Sequence, residues 1–293
     1  SDLKHLEEHN PSYVEYGYIY ETRFDILRKA YRRAMKKEHE EFDRFVEENS
    51  SWLKDYAMFM ALKKHFHMAS WLDWPDRKAR LREEKAMARY EKKLASDIGF
   101  YEYIQYLFFN QYNSLKEYAH RNGIQIIGDI PIYVALDSAD VWANPQDFQL
   151  DEENYPREVA GVPPDYFSED GQLWGNPLYD WEKMKENDYS FWRRRISGAG
   201  RYYDVIRIDH FRGFQSYWAV PYGAETAKNG RWVDGPSYDF VRVLKEDFPD
   251  IQFIAEDLGI ITEDVNELLQ KSGFPGMRVL EFAFSAPDNA YLP

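Results

Sequence analysis

The chain has 293 residues, 44% of them hydrophobic, enough for one large globular core or two ordinary ones. Its 37 Lys+Arg against 51 Asp+Glu leave a formal charge of −14, which argues against a sequence-independent grip on nucleic acid or anionic lipid. The sequence has no cysteine, so disulfides, thiolate nucleophiles and zinc–thiolate centres are excluded; with neither a signal-peptide pattern nor a long uncharged apolar run, a soluble cytoplasmic protein is expected.

Residues from about 20 to 121 carry helical periodicity. Phe24, Leu27, Tyr31, Ala34, Phe42 and Phe45 form one apolar stripe over 22–48, broken at Asn49-Ser50-Ser51. A second helix is expected from Leu53 to about His67, followed by a turn at Trp71-Leu-Asp-Trp-Pro75, because a residue before proline leaves the α region. The charged run 76–94 suggests a partly solvated helix, and Ser96 is expected to cap a further long helix closed by Asn122-Gly123. His65 and His67, two apart, cannot share a helical face, so no helix-borne metal site is expected.

After Gly123 the period becomes extended. Strands are expected at 124–129, 205–210, 251–256 and 277–282, with helices at 237–247 and 263–271 between the last three. Such alternation implies a parallel sheet with right-handed crossovers. The Pro-, Gly- and Trp-rich stretch 131–204 is too long for an ordinary connection and reads as a functional loop excursion. Gly128-Asp-Ile-Pro131 lacks the lysine and glycine spacing of a phosphate loop.

Two of the expected strands end in a carboxylate followed shortly by glycine. Asp209 closes Val205-Ile-Arg-Ile-Asp209, and Glu256 closes Phe253-Ile-Ala-Glu256. An acidic strand end can simply meet water or cap the next helix. Arg207, however, shares a strand face with Asp209, and an inward guanidinium beside a carboxylate points to a site. Paired carboxylates at the C-terminal ends of buried parallel strands suit the nucleophile and acid/base of sugar chemistry. The aromatic content of 17% fits either a ring-rich core or flat platforms for pyranose rings.

Five motifs then occur in order: Gly128-Asp-Ile-Pro-Ile-Tyr-Val134, Val159-Ala-Gly-Val-Pro-Pro-Asp-Tyr-Phe167, Gly171-Gln-Leu-Trp-Gly-Asn-Pro-Leu-Tyr-Asp-Trp181, Arg207-Ile-Asp-His-Phe-Arg-Gly213 and Ala255-Glu-Asp-Leu-Gly259. Together with Phe274-Pro-Gly-Met-Arg-Val-Leu-Glu-Phe-Ala-Phe284 they resemble the amylomaltases, the 4-α-glucanotransferases of glycoside hydrolase family 77. The resemblance implies an α/β fold: a (β/α)₈ barrel, incomplete here with about four barrel strands, carrying a large all-helical insertion. Residues 1–121 would be that insertion and 122–293 the central part of the barrel, with 131–204 as the active-site loop excursion. It further implies transfer of an α-1,4-glucan segment to an acceptor sugar with retention, without metal or organic cofactor.

By position, the resemblance makes Asp209 the nucleophile, Glu256 the acid/base and Arg207 the arginine held against the nucleophile. Asp129 and His210 would hold the sugar ring next to the scissile bond; Gln172, Trp174 and Asn176 would lie in the covering loop with Pro163, Pro164, Asp165 and Tyr166. Trp174 is equally readable as a core anchor, and Asp165 and Asp129 as loop-bracing carboxylates. Asp257 competes with Glu256, but neighbours on a strand face opposite ways. An arginine cation should keep Asp209 ionised, whereas Glu256 needs surroundings that favour its neutral form. The family's third carboxylate follows a histidine, and none of the seven histidines here precedes Asp. The expectation is an internal piece of a longer enzyme, inactive by itself. An α-amylase-type hydrolase and a non-catalytic glucan-binding module are the alternatives, told apart by product chain lengths and by turnover.

Overall fold

The computed structural model describes residues 12–37, 39–165 and 168–284, and the chain divides into two compact units, Ser1–Gln111 and Tyr112–Pro293. The first unit is helical. It contains α1 (Tyr16–Ala34), α2 (Glu40–Glu48), α3 (Ser50–His65), the short α4 (Arg77–Arg80) and most of α5 (Glu84–Arg121). The single stripe expected over 22–48 is two helices: Met35 to Lys37 turn, and the His39 ring bonds the Ala34 carbonyl at the end of α1. Ser96 caps nothing. It lies exposed within α5, whose buried face continues past it through Tyr90, Leu94, Phe100 and Tyr101. Periodicity, when unbroken, outweighs a lone capping residue. The helix stops where expected, at Gly123, whose φ of 71° is the left-handed value that glycine adopts without cost. Edge-to-face rings, Phe42 on Tyr103 and Tyr106 and Phe45 on Tyr106, join α2 to α5.

The second unit is α/β and holds two sheets. Its elements are β1 (Ile127–Pro131), α6 (Ala139–Ala143), β2 (Glu158–Val162), β3 (Gln172–Pro177), α7 (Trp181–Glu186), α8 (Ser190–Tyr202), β4 (Val205–Asp209), β5 (Ser216–Pro221), β6 (Arg231–Asp234), α9 (Ser237–Asp247), β7 (Gln252–Ala255) and α10 (Glu263–Ser272). Strands β1, β4 and β7 form a parallel sheet with β4 central, and β3-β2-β5-β6 form an antiparallel sheet.

Three expectations need correction. The stretch 131–204 is not one loop: it folds into α6, β2, β3, α7 and α8, because Tyr179, Trp181, Phe191 and Trp192 bury their rings together and order the chain around them. No strand forms at 277–282, where a 3₁₀ turn spans Leu280–Phe284. Strand β1 starts at Ile127 rather than at 124, since the turn that closes α5 still engages the Ile124 N–H.

Central position explains the composition of β4. Ile206 and Ile208 are wholly buried, each worth about 1.5–3 kcal/mol, while Arg207 and Asp209 alternate onto the other face. Helix α8 packs against β1 and β4, and from it Arg195 donates to the Ile132 and Pro131 carbonyls at 3.0 and 2.5 Å. Tyr179 Oη donates to the same Ile132 carbonyl at 2.8 Å, so the end of β1 is pinned just beyond Asp129.

Gly128 permits this packing. A Cβ there would lie 2.0 Å from two ring carbons of Tyr203, which crosses the strand at that point. Gly128→Ala should therefore cost about 1–3 kcal/mol of stability by overpacking, read as a lower urea midpoint at an unchanged slope. A wild-type midpoint would mean that the Tyr203 ring moves aside freely.

Candidate active site

Register builds the site. Asp129 is the parallel partner of Arg207 in the β1–β4 ladder, so the two side chains leave the sheet on one face. Arg207 Nε stands 3.0 Å from Asp129 Oδ1, and its Nη2 donates to Asp129 Oδ2 at 3.3 Å. The same guanidinium donates from Nη1 and Nη2 to Asp209 Oδ1 at 3.2 and 3.1 Å. One cation thus serves two carboxylates. On the other side of β4, Glu256 N donates to the Ile208 carbonyl at 3.0 Å, extending the β4–β7 ladder one residue and bringing Glu256 beside Asp209.

Glu256 is buried, and both of its oxygens are occupied. Oε2 accepts the His210 N–H and Oε1 the Leu258 N–H, each at 2.8 Å. The first of these bonds depends on a left-handed His210, at φ 55° and ψ 47°, which turns the chain sharply after β4 and aims the amide at the carboxylate. That conformation is uncommon for a residue with a side chain and marks a position held for a purpose. Burial pushes Glu256 above its ordinary carboxylate range and Asp209 adds to this, against the two backbone bonds and Arg207.

Burial raises Asp209 above its ordinary value and Asp129 adds to the rise, whereas Arg207 pulls it only part of the way back. The reason is that the guanidinium is divided between two acids. With side-chain exposures of 43% for Asp209 and 26% for Arg207, the pair adds about 0.2–1 kcal/mol to stability at most. Orientation is its larger effect.

The remaining expected residues separate into two groups. Gln172, Trp174 and Asn176 lie on β3, not in a loop, and the β2–β3 register shifts in this stretch, where Gly175 has a left-handed φ of 76°. Trp174 meets the His210 ring edge-on at 4.9 Å between centroids and the buried Tyr133 ring at 6.4 Å, and donates its Nε1 hydrogen to Gln172 Oε1 at 3.1 Å. Asn176 ties β3 to the chain after β1 by donating to the Val134 carbonyl at 2.9 Å. Asp165 is turned on its own loop: its Oδ1 accepts the Ser168 N–H at 2.9 Å, which is a bracing role. Pro163 and Pro164 precede it, whereas Tyr166 lies outside the described residues.

Several groups in the site escaped the sequence. Met277 Sδ lies 3.9 Å from Arg207 Nη1, and the Leu258 amide contributes through its backbone alone. Arg212 stacks on Trp232 at 4.1 Å and bonds the Ile260 carbonyl and Ser216 Oγ, bracing the chain after Glu256. The run His-Phe-Arg-Gly was a signal for a tight turn, but not for where its amide would point. Among the described residues no group of three or more His, Asp or Glu is placed to hold a metal ion, and no helix is long and apolar enough to cross a membrane.

Two strand-end carboxylates, one braced by arginine and one buried, thus stand side by side at the end of a parallel α/β sheet. The profile of the 4-alpha-glucanotransferase family, glycoside hydrolase family 77, matches residues 1–293. A 4-alpha-glucanotransferase of Clostridium butyricum is 46% identical over 286 residues, 97% of this chain and 58% of the relative. One from Thermus thermophilus is 47% identical over 285 residues, 96% of this chain and 57% of the relative. The amylomaltase from Streptococcus agalactiae in complex with acarbose superposes with a TM-score of 0.90 at 44% identity, covering 94% of this chain and 56% of that one. The chain belongs to glycoside hydrolase family 77. It spans little more than half the length of these relatives.

His210 offers a direct test of the site's burial. Burial, with Arg212 adding, pushes its imidazole from 6.5 down to about 4. The unfolded chain therefore takes up this proton first as pH falls. Stability contributed by the neutral ring is full above 6.5 and is lost on descending toward about 4. Ring-proton NMR should show no His210 titration in the neutral range and a midpoint near 4; an ordinary imidazole midpoint would mean that the ring is solvated.

Proposed function

We propose that the protein containing this chain is a 4-α-glucanotransferase, in which Asp209 is the nucleophile and Glu256 the acid/base. The observation that carries this is the pair of carboxylates: a strand-end Asp209 gripped by Arg207, beside a buried Glu256 whose carboxyl burial raises above its ordinary value. The relatives' names and the acarbose complex support an α-1,4-glucan as donor and a second sugar as acceptor. The proposal includes the fold of the whole: the three parallel strands are part of a (β/α)₈ barrel, of which 122–293 supply the central portion and 1–121 a helical insertion. The exposed Ile124 and Ile127 beside the edge strand β1 are consistent with further strands packing there.

The mechanism has two displacements. The Asp209 carboxylate attacks the anomeric carbon as the glycosidic oxygen departs with the Glu256 proton, leaving a glucosyl ester on Asp209. Glu256, now a carboxylate, takes the proton of the acceptor 4-hydroxyl, whose oxygen attacks the same carbon and releases Asp209. Two inversions give retention. Glu256 must be stable in both forms, and its surroundings are divided to match: burial favours the acid, and the His210 and Leu258 amides favour the base. Asp129 and His210 grip the ring at the scissile bond, while Gln172 and Trp174 of β3 lie beside them, Trp174 against the His210 ring.

In the full-length protein, Asp209→Asn should reduce maltotriose disproportionation by on the order of 10⁴-fold or more while sugar binding persists. Near-normal turnover would assign the attack to another group. Glu256→Gln should lose about 10²–10⁴-fold on maltotriose but much less on a glucosyl donor with a good leaving group. Chromatography of the products decides between transfer and hydrolysis: redistributed chain lengths with a constant number of reducing ends are expected, and a rising number would make the enzyme a hydrolase.

A further inference from the structure

Asp257 follows the acid/base directly and is itself buried, its side chain only 7% exposed. Its Oδ1 accepts the Met277 N–H at 2.6 Å, and its Oδ2 lies 3.1 Å from Arg278 Nη1. A second bond joins the same two segments in the opposite donor direction, from the Ala255 N–H to the Pro275 carbonyl at 2.9 Å. Together they lay 275–277 along the end of β7 where a further strand would run, with a side-chain carboxylate in place of one ladder acceptor. The approach is close: a Cβ on Gly276 would lie 2.4 Å from Asp257 Oδ2 and 2.8 Å from Oδ1.

The other end of this arrangement reaches the site. Met277, whose amide Asp257 holds, places its Sδ 3.9 Å from the Arg207 nitrogen that donates to Asp209. Arginine has many rotamers, and its half-exposed ion pairs with Asp129 and Asp209 are weak restraints on them. A thioether packed against the guanidinium limits those rotamers from a third side and is a weak acceptor besides.

We propose that Asp257 is a positioning residue: by fixing the backbone at Met277 it seats the thioether against Arg207 and so holds the guanidinium in the fork between Asp129 and Asp209. The proposal rests on Asp209 being the nucleophile. It predicts that loosening Met277 weakens the pull of Arg207 on the Asp209 proton, so that Asp209 protonates at higher pH.

The test is the pH profile of maltotriose disproportionation by the full-length enzyme. Met277→Ala leaves the Asp257 bonds in place and removes only the thioether. It should lower kcat on the order of tenfold with KM within about twofold, and move the acidic limb of kcat/KM upward by roughly 0.5 pH unit. Asp257→Ala should move the limb in the same direction, and Asp257→Asn, which keeps an acceptor for the Met277 amide, should return it toward the wild-type position. An unmoved limb in both M277A and D257A, with only a lower melting temperature in the latter, would reduce Asp257 to a structural tie. Should D257A fail to fold, M277A decides alone. Asp209→Asn separates the two layers: if it stays active the nucleophile assignment is wrong, whereas if it is dead and the M277A limb is unmoved the positioning role alone is overturned.

Discussion

Everything at this site depends on the register of β4 between β1 and β7. The strand is short, and its two sides are chemically opposite: Ile206 and Ile208 are sealed in the core, while Arg207 and Asp209 face the site. Sliding it by one residue would bury a guanidinium and a carboxylate and expose two isoleucines, so the hydrophobic term enforces the alignment. Asp129 meets Arg207 and Glu256 meets Asp209 only in that alignment. The carboxylates and the guanidinium are therefore placed by the burial of two isoleucines on the opposite face of the strand.

What holds the strand ends is a different set of forces from what holds the core. Fused ring contacts among Tyr179, Trp181, Trp192, Phe214 and Phe240 supply buried area on the helical side of the sheet. At the ends, where the ladder stops, single polar groups take over: Arg195 and Tyr179 on the carbonyls after β1, the left-handed His210 amide on Glu256, and Asp257 on the amide of Met277. Each of these is a modest net contribution to stability, about 0.5–1.5 kcal/mol for an ordinary bond. They fix where functional groups stand, and the core provides the rigidity that makes such fixing effective.

The carboxylates show how weakly a neighbouring charge can be inferred without geometry. Arg207, two residues before Asp209, was expected to keep that carboxyl ionised; the guanidinium divides itself between Asp209 and Asp129, so its lowering effect only partly offsets the rise that burial causes. The second acid comes from a strand 78 residues away, and only register couples it to the pair. Glu256, one residue past β7, is raised chiefly by burial, which the pattern of its own strand does not display.

Local patterning in this chain settled the helices α9 and α10, the glycine stop of α5 and the strand cores of β4 and β7. These depend on period, capping and turn chemistry within a few residues, which a sequence displays. The family motifs marked Asp209, Glu256, Arg207 and the β3 residues, but not their contacts. The ordering of 131–204, the absence of a strand at 277–282, the turn of His210 and the approach of Met277 to Arg207 were decided by tertiary structure. Each arises from groups distant in sequence competing for the same space or the same hydrogen-bond partner, and that competition is resolved only when the strands lie side by side.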